Sequence, residues 1–142
     1  MRPTADKTNH FLDLYRELYG HAGYLEDVLE GLIHRRGVDR HELDGHLMGI
    51  LHALEDSHKR HETLRFTRKG KRTSADPFHN QMVKVSRVVQ EQAAVLLKTS
   101  FLLDKGDPGF EYLQTLSDVH DNILGAFQNT LQNNVLMPVV LN

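Results

Sequence analysis

An all-α fold, an antiparallel up-down-up-down four-helix bundle, is what three observations on the sequence predict. Four stretches repeat apolar residues three and four positions apart, the mark of an amphipathic helix with one face in a core. Helix stop and start signals stand between these stretches. No segment alternates apolar and polar residues with period two, so no sheet is expected. At 142 residues a single domain, 1–142, is long enough to bury a real core. Helices of about 25 residues with short connections pack best against their sequence neighbours.

The first helix is expected over about 8–36, with Phe11, Leu14, Leu18, Ala22, Leu25, Leu29 and Leu32 on one face and Tyr15 beside them. Gly37 is its natural stop. Asp39, with Glu42 three residues on, opens the second helix, 40–66, as a capping box. Its stripe is Leu43, Leu47, Ile50, Leu51 and Leu54, with His58 and His61 falling inside it and His41 and His52 opposite. The segment TRKGKRTSAD is the longest loop. Asp76-Pro77 starts the third helix, 77–104, as an N-cap followed by proline in the first turn. Its stripe is Phe78, Met82, Val85, Val88, Val89, Gln92, Val95, Leu96 and Leu103, and Asp104-Lys105-Gly106 ends it. Asp107-Pro108 opens the fourth, 108–136, by the same device, with a stripe of Leu113, Leu116, His120, Ile123, Leu124, Phe127 and Leu131.

Composition narrows the function classes. The net charge is −2 and 25% of residues are charged, which excludes a globally basic nucleic-acid binder but not a local basic patch. With no cysteine there is no disulfide, iron–sulfur or thiol chemistry. No apolar run reaches the roughly 18 residues of a membrane span, and the first residues have no hydrophobic signal core, so a cytoplasmic protein is expected. Ten histidines are the compositional oddity.

An up-down bundle would bring the end of the second helix beside the starts of the first and third. His10, Asp13, His58, His61 and His79 then share one end. Imidazoles and a carboxylate from three helices can hold zinc, copper or nickel. The plainer reading is a set of surface histidines near a loop, with no cofactor. Near mid-height, His21, Gln92 and His120 form a candidate buried polar layer. A Gln92–His120 hydrogen bond is its simplest solution, since an unpaired buried polar group costs on the order of 1–3 kcal/mol. Lys59, Arg60, Arg65, Arg68, Lys69, Lys71 and Arg72 concentrate positive charge in one stretch. They make a candidate surface for an acidic protein or, without any base-reading motif, nucleic acid. A histidine phosphorelay is a third reading. It needs a solvent-exposed histidine on a bundle, and His41 and His52 qualify by position.

Residues spread over most of the chain carry a resemblance to a known family. They are Phe11-Leu12, Leu14 and Leu18; Leu43-Asp44, Ile50-Leu51, Leu54 and Ser57-His58; and Leu116-Ser117-Asp118-Val119 with Phe127. In these the chain resembles the Rsd/AlgQ regulators, four-helix proteins that bind the housekeeping sigma factor and so alter promoter choice. The family's first-helix tryptophan has no counterpart here, because the chain contains none. The resemblance implies a non-enzymatic interaction protein of transcription regulation, with a sigma factor or RNA polymerase as partner. A histidine-rich metal-binding bundle for sensing, storage or transport is the alternative.

The C-terminus adds one expectation. Val135, Leu136, Met137, Val139, Val140 and Leu141 are apolar, and Pro138 breaks any helix among them. Such a tail gains about 1.5 kcal/mol or more per buried side chain. It either caps its own bundle end or packs across a two-fold axis, and a homodimer is the expectation favoured here.

Overall fold

A computed structural model describes the backbone of residues 5–66 and 77–134 and the side chains of residues 10–60 and 80–132. Within these the chain is all-helical and bundle-like, and no strand occurs among the described residues. The helices are α1 (Ala5–Ile33), α2 (Arg40–Phe66), α3 (Pro77–Thr99), α4 (Phe110–Asp121) and α5 (Gln128–Asn134). A 3₁₀ segment, Ser100–Lys105, continues α3, and a π segment, Asn122–Phe127, joins α4 to α5. α1 packs on α2 and α4, and α3 packs on the same two.

The core follows the helical period. α1 buries Phe11, Leu14, Tyr15, Leu18, Ala22 and Leu25; α2 buries Leu43, Leu47, Ile50, Ala53 and Leu54. α3 contributes Met82, Val89, Ala93 and Leu96. From α4 onward come Tyr112, Leu116, Val119, Ile123, Phe127 and Leu131. The Tyr15 and Phe127 rings stack with centroids 5.8 Å apart, joining α1 to the π segment. Burying one such side chain is worth about 1.5–3 kcal/mol, so this single cluster holds the helices together.

Helix ends differ from the sequence expectation for local reasons. α1 stops at Ile33, before Arg36. Arg35, not Gly37, takes the left-handed conformation, with φ 56°. The Arg36 N–H reaches the Gly31 carbonyl at 2.6 Å and the Arg35 N–H reaches Leu32 at 3.2 Å. That crossed pair is the Schellman closure, which satisfies carbonyls the helix would leave bare. Asp39 does cap α2: its Oδ1 accepts the Glu42 N–H at 3.2 Å. α3 tightens to 3₁₀ at Ser100, whose hydroxyl donates to the Leu97 carbonyl at 3.1 Å, and Gly106 at φ 88° ends the segment. α4 begins at Phe110, two residues after Pro108, because Asp107 spends its carboxylate on the Gly109 N–H at 2.9 Å. Gly109, at φ 90°, supplies the turn.

Two stripes also differ from expectation. On α3, Val88 and Val95 face outward, and Ala93 and Ser100 take the inward positions. On α4 the buried line runs through Tyr112, Leu116 and Val119, keeping the expected Leu116 but taking Tyr112 and Val119 in place of Leu113 and His120. One residue is about 100° of helix, enough to move His120 from the centre to the edge. The π segment then keeps Ile123, Phe127 and Leu131 in line at four-residue spacing, because its wider turn absorbs the drift an α-helix would accumulate. The Asp76 cap, the Arg68–Arg72 charges and the C-terminal tail with its expected self-association lie outside the described residues.

Candidate functional site

Of the histidines expected at one end of the molecule, the two with described side chains, His10 and His58, open into different clefts. His10 of α1 leans on α2, where its Nε2 lies 2.8 Å from the buried Ser57 hydroxyl. Burial first, and the Arg60 guanidinium second, hold its pKa below the ordinary imidazole value. A cation beside the ring is poor company for a metal ion. Asp13 is exposed and pairs with Arg16 at 3.4 Å. His58 is exposed and opens into a different cleft, lined by Phe11, Leu54, Val83 and Arg87. The inward position expected for His58 belongs to Ser57. The side chains of His61 and His79 lie outside the described residues, and no group of three or more metal-ligating side chains assembles among the described ones. Of the expected basic surface, Lys59 is exposed beside Glu55 at 3.5 Å and Arg60 is exposed near His10. Arg65, Arg68, Lys69, Lys71 and Arg72 carry no described side chains. His41 and His52 are exposed, where their positions on α2 predict.

The buried polar layer divides into three separate pairings. Gln92 does not meet His120; its Oε1 accepts a hydrogen bond from Asn122 Nδ2 at 2.9 Å. His120, at the α1–α4 edge with 17% of its side chain exposed, faces Asp121 at 3.1 Å and Glu26 at 3.8 Å. His21 pairs instead with His46 of α2, their Nδ1 atoms 2.9 Å apart. The His46 ring stacks on Tyr24 at 4.0 Å. Gly49 makes this possible, because a Cβ there would stand 2.6 Å from His21 Cε1. The centroids of the two imidazoles are 5.1 Å apart, so the nitrogens point nearly head-on. That arrangement suits one shared proton better than a common metal, which would need the rings to splay. Burial first, then the facing His46, holds the His21 pKa below the ordinary value, opposed by Glu17.

Opposite this closed seam in character is the surface made by the α1–α2 loop, the 3₁₀ segment and the start of α4. Phe110 is 76% exposed, Ile33 66%, and Phe101 and Val95 are about half exposed. Beside Phe110 a cleft is lined by Val95, Leu102, Pro108 and Tyr112. The Tyr112 ring is buried, and burial with nearby Asp44 pushes its hydroxyl up to about 12. Arg40 ties α2 to the 3₁₀ segment through Ser100 (3.3 Å) and Asp104, and pairs within α2 with Asp44 (3.7 Å). A second groove of about 810 Å³ shares Pro108 with the cleft. Its lining includes Arg35, Arg36 and Lys105. The sequence reading missed this surface. Its one visible signal was that Phe101 and Phe110 lie off the helical stripes.

No family model, curated protein or solved structure matches this chain. No helix among the described residues is long and apolar enough to cross a membrane.

Proposed function

We propose that the chain is a non-enzymatic helical interaction protein of the transcription-regulatory kind. Its partner would be a housekeeping sigma factor or RNA polymerase, as the Rsd/AlgQ resemblance implies. Its scaffold is an up-down-up-down bundle. The pairs His10–Ser57 and His21–His46 support that reading, since positions rise on α1 as they fall on α2. Arg40–Ser100 and the Phe11–Leu54–Val83 cleft support it for the neighbouring helices.

The observation that carries the proposal is the exposed Phe110 beside its apolar cleft, which is lined by Val95, Leu102, Pro108 and Tyr112. Clustered large apolar side chains at a surface mark a place where something binds, and aromatic anchors supply most of the energy of such contacts. The decisive measurement is binding of the full-length chain to an immobilised, purified bacterial housekeeping sigma factor and to core RNA polymerase. Binding is expected to fall about tenfold or more in Phe110→Ser, the loss of one hot-spot aromatic. Reversal of Lys69, Lys71 and Arg72 to glutamate reports the contribution of the basic stretch. No binding by the wild-type chain to either protein removes the transcriptional assignment.

A further inference from the structure

The groove beside the Phe110 cleft combines three features that loops rarely bring together. Its floor is aliphatic, with Leu32, Val38, Leu103 and Leu113 in the lining and Ile33 open to solvent. Its rim carries Arg35, Arg36 and Lys105 against Asp107. Among the described residues neither guanidinium has a carboxylate partner, whereas Arg16 and Arg40 both do. Lys105 lies over the Phe101 ring, 5.8 Å from its centroid. Asp107 is already engaged with the Gly109 N–H. The third feature is backbone strain. Arg35 holds φ 56°, a conformation costing a non-glycine residue roughly 1–2 kcal/mol. Glycine would hold the same turn without that cost, and strain kept at such a position points to a use for the side chain.

We propose that this groove binds an acidic, amphipathic peptide segment of a partner protein. The segment's leucine- or phenylalanine-like side chains would enter the aliphatic floor, and its carboxylates would meet Arg35, Arg36 and Lys105. The inference rests on the interaction-protein reading above and names the chemistry of the partner. Charge complementarity selects the occupant. A single-stranded nucleic acid would need stacking rings, and the described lining of the groove has none. A helix laid in an apolar groove with a charged rim is a recurrent mode of peptide recognition. Guanidinium groups match carboxylates in pairs of parallel hydrogen bonds.

The probe is a fluorescein-labelled synthetic peptide of about four helical turns, roughly 15 residues, with glutamate on one face and leucine on the other. Its control replaces every glutamate with lysine. Anisotropy is measured on the full-length chain, and amide chemical shifts map the contact. The acidic peptide is expected to bind, to shift residues 32–38 and 103–113, and to weaken about tenfold or more in an Arg35→Glu/Arg36→Glu variant of unchanged circular dichroism. That variant should gain affinity for the lysine control, a swap that damage to the fold cannot produce. Equal binding of both peptides to the wild-type chain, shifts elsewhere, or indifference to the charge reversal would overturn the proposal. So would binding of decanoate at the groove with no binding of the peptide. The interaction reading fails separately, by loss of the sigma-factor and polymerase contacts. If those persist while the peptide result is negative, only the groove assignment falls.

Discussion

The α1–α2 seam and the surface built from the α1–α2 loop, the 3₁₀ segment and the start of α4 use similar residues to opposite ends. In the seam, polar groups meet partners from the facing helix: His10 finds Ser57, and His21 finds His46. Gly49 even withholds a side chain so that the His21 ring fits. At the loop-built surface the backbone is satisfied by the Schellman closure and the Asp107 turn, but the side chains are not. Ile33 and Phe110 face outward, and among the described residues Arg35 and Arg36 have no carboxylate partner. The difference separates two jobs. Interlocked helices spend their side chains on one another, which gives stability. Loops satisfy only their own backbone, and so leave side chains free to bind something else.

The sharpest way to test that division is to break each region and compare. Leu18, fully buried in α1, should cost about 3 kcal/mol or more as Leu18→Ala, through lost burial and the cavity left behind. Urea unfolding followed by circular dichroism measures it. Gln92→Leu should cost about 1–2 kcal/mol in the same assay, because Asn122 keeps its amide in a half-buried place without its acceptor. At the other region the sign should reverse. Arg35→Gly relieves the left-handed strain and should stabilise by about 0.5–1 kcal/mol, after the extra entropy of unfolded glycine is deducted. The same change should weaken acidic-peptide binding, so that stability and binding move in opposite directions.

A pH series sharpens the comparison further. The folded pKa values of His21 and His10 lie below the ordinary 6.5. The unfolded chain therefore binds protons that the folded chain refuses. Their contribution to stability is complete above about pH 6.5 and is lost as pH falls through that value towards the lower folded pKa values. The urea midpoint should drop between about pH 7.5 and pH 5.5, a window above most carboxylate titration. His21→Gln should flatten the slope, and an unchanged slope would mean that the His21–His46 contact does not form in solution. The smallest expected effect is that of Phe110→Ser on stability, within about 0.5 kcal/mol because the ring is exposed. A large loss there would show that Phe110 belongs to the core rather than to a binding surface.

Much of this architecture was legible in the residues alone. The helical period placed Phe11, Leu14, Leu18, Leu43, Leu47, Ile50, Leu116 and Phe127 in the core, where they are. The Asp39–Glu42 signal marked the start of α2 within a residue. Periodicity and capping are local properties, set by 3.6 residues per turn and by which side chain reaches the nearest bare N–H, so a sequence carries them openly. Partner choice between helices is not local. His21 could meet Gln92, His120 or His46 as far as spacing goes, and the inward turn of Val119 in place of its neighbour left His120 at an edge. Whether Ser57 or its neighbour His58 turned inward was likewise settled by the side of α2 that faced Phe11 and Leu14. The left-handed turn fell to Arg35 and not to Gly37, because the closure of α1 onto its own carbonyls set the position before glycine could use its freedom. Helix content and the bulk of the core therefore belong to the sequence. The histidine pair, the strained arginine and the open groove come from helix register, which only tertiary packing fixes, since a rotation of one residue exchanges a buried side chain for an exposed one.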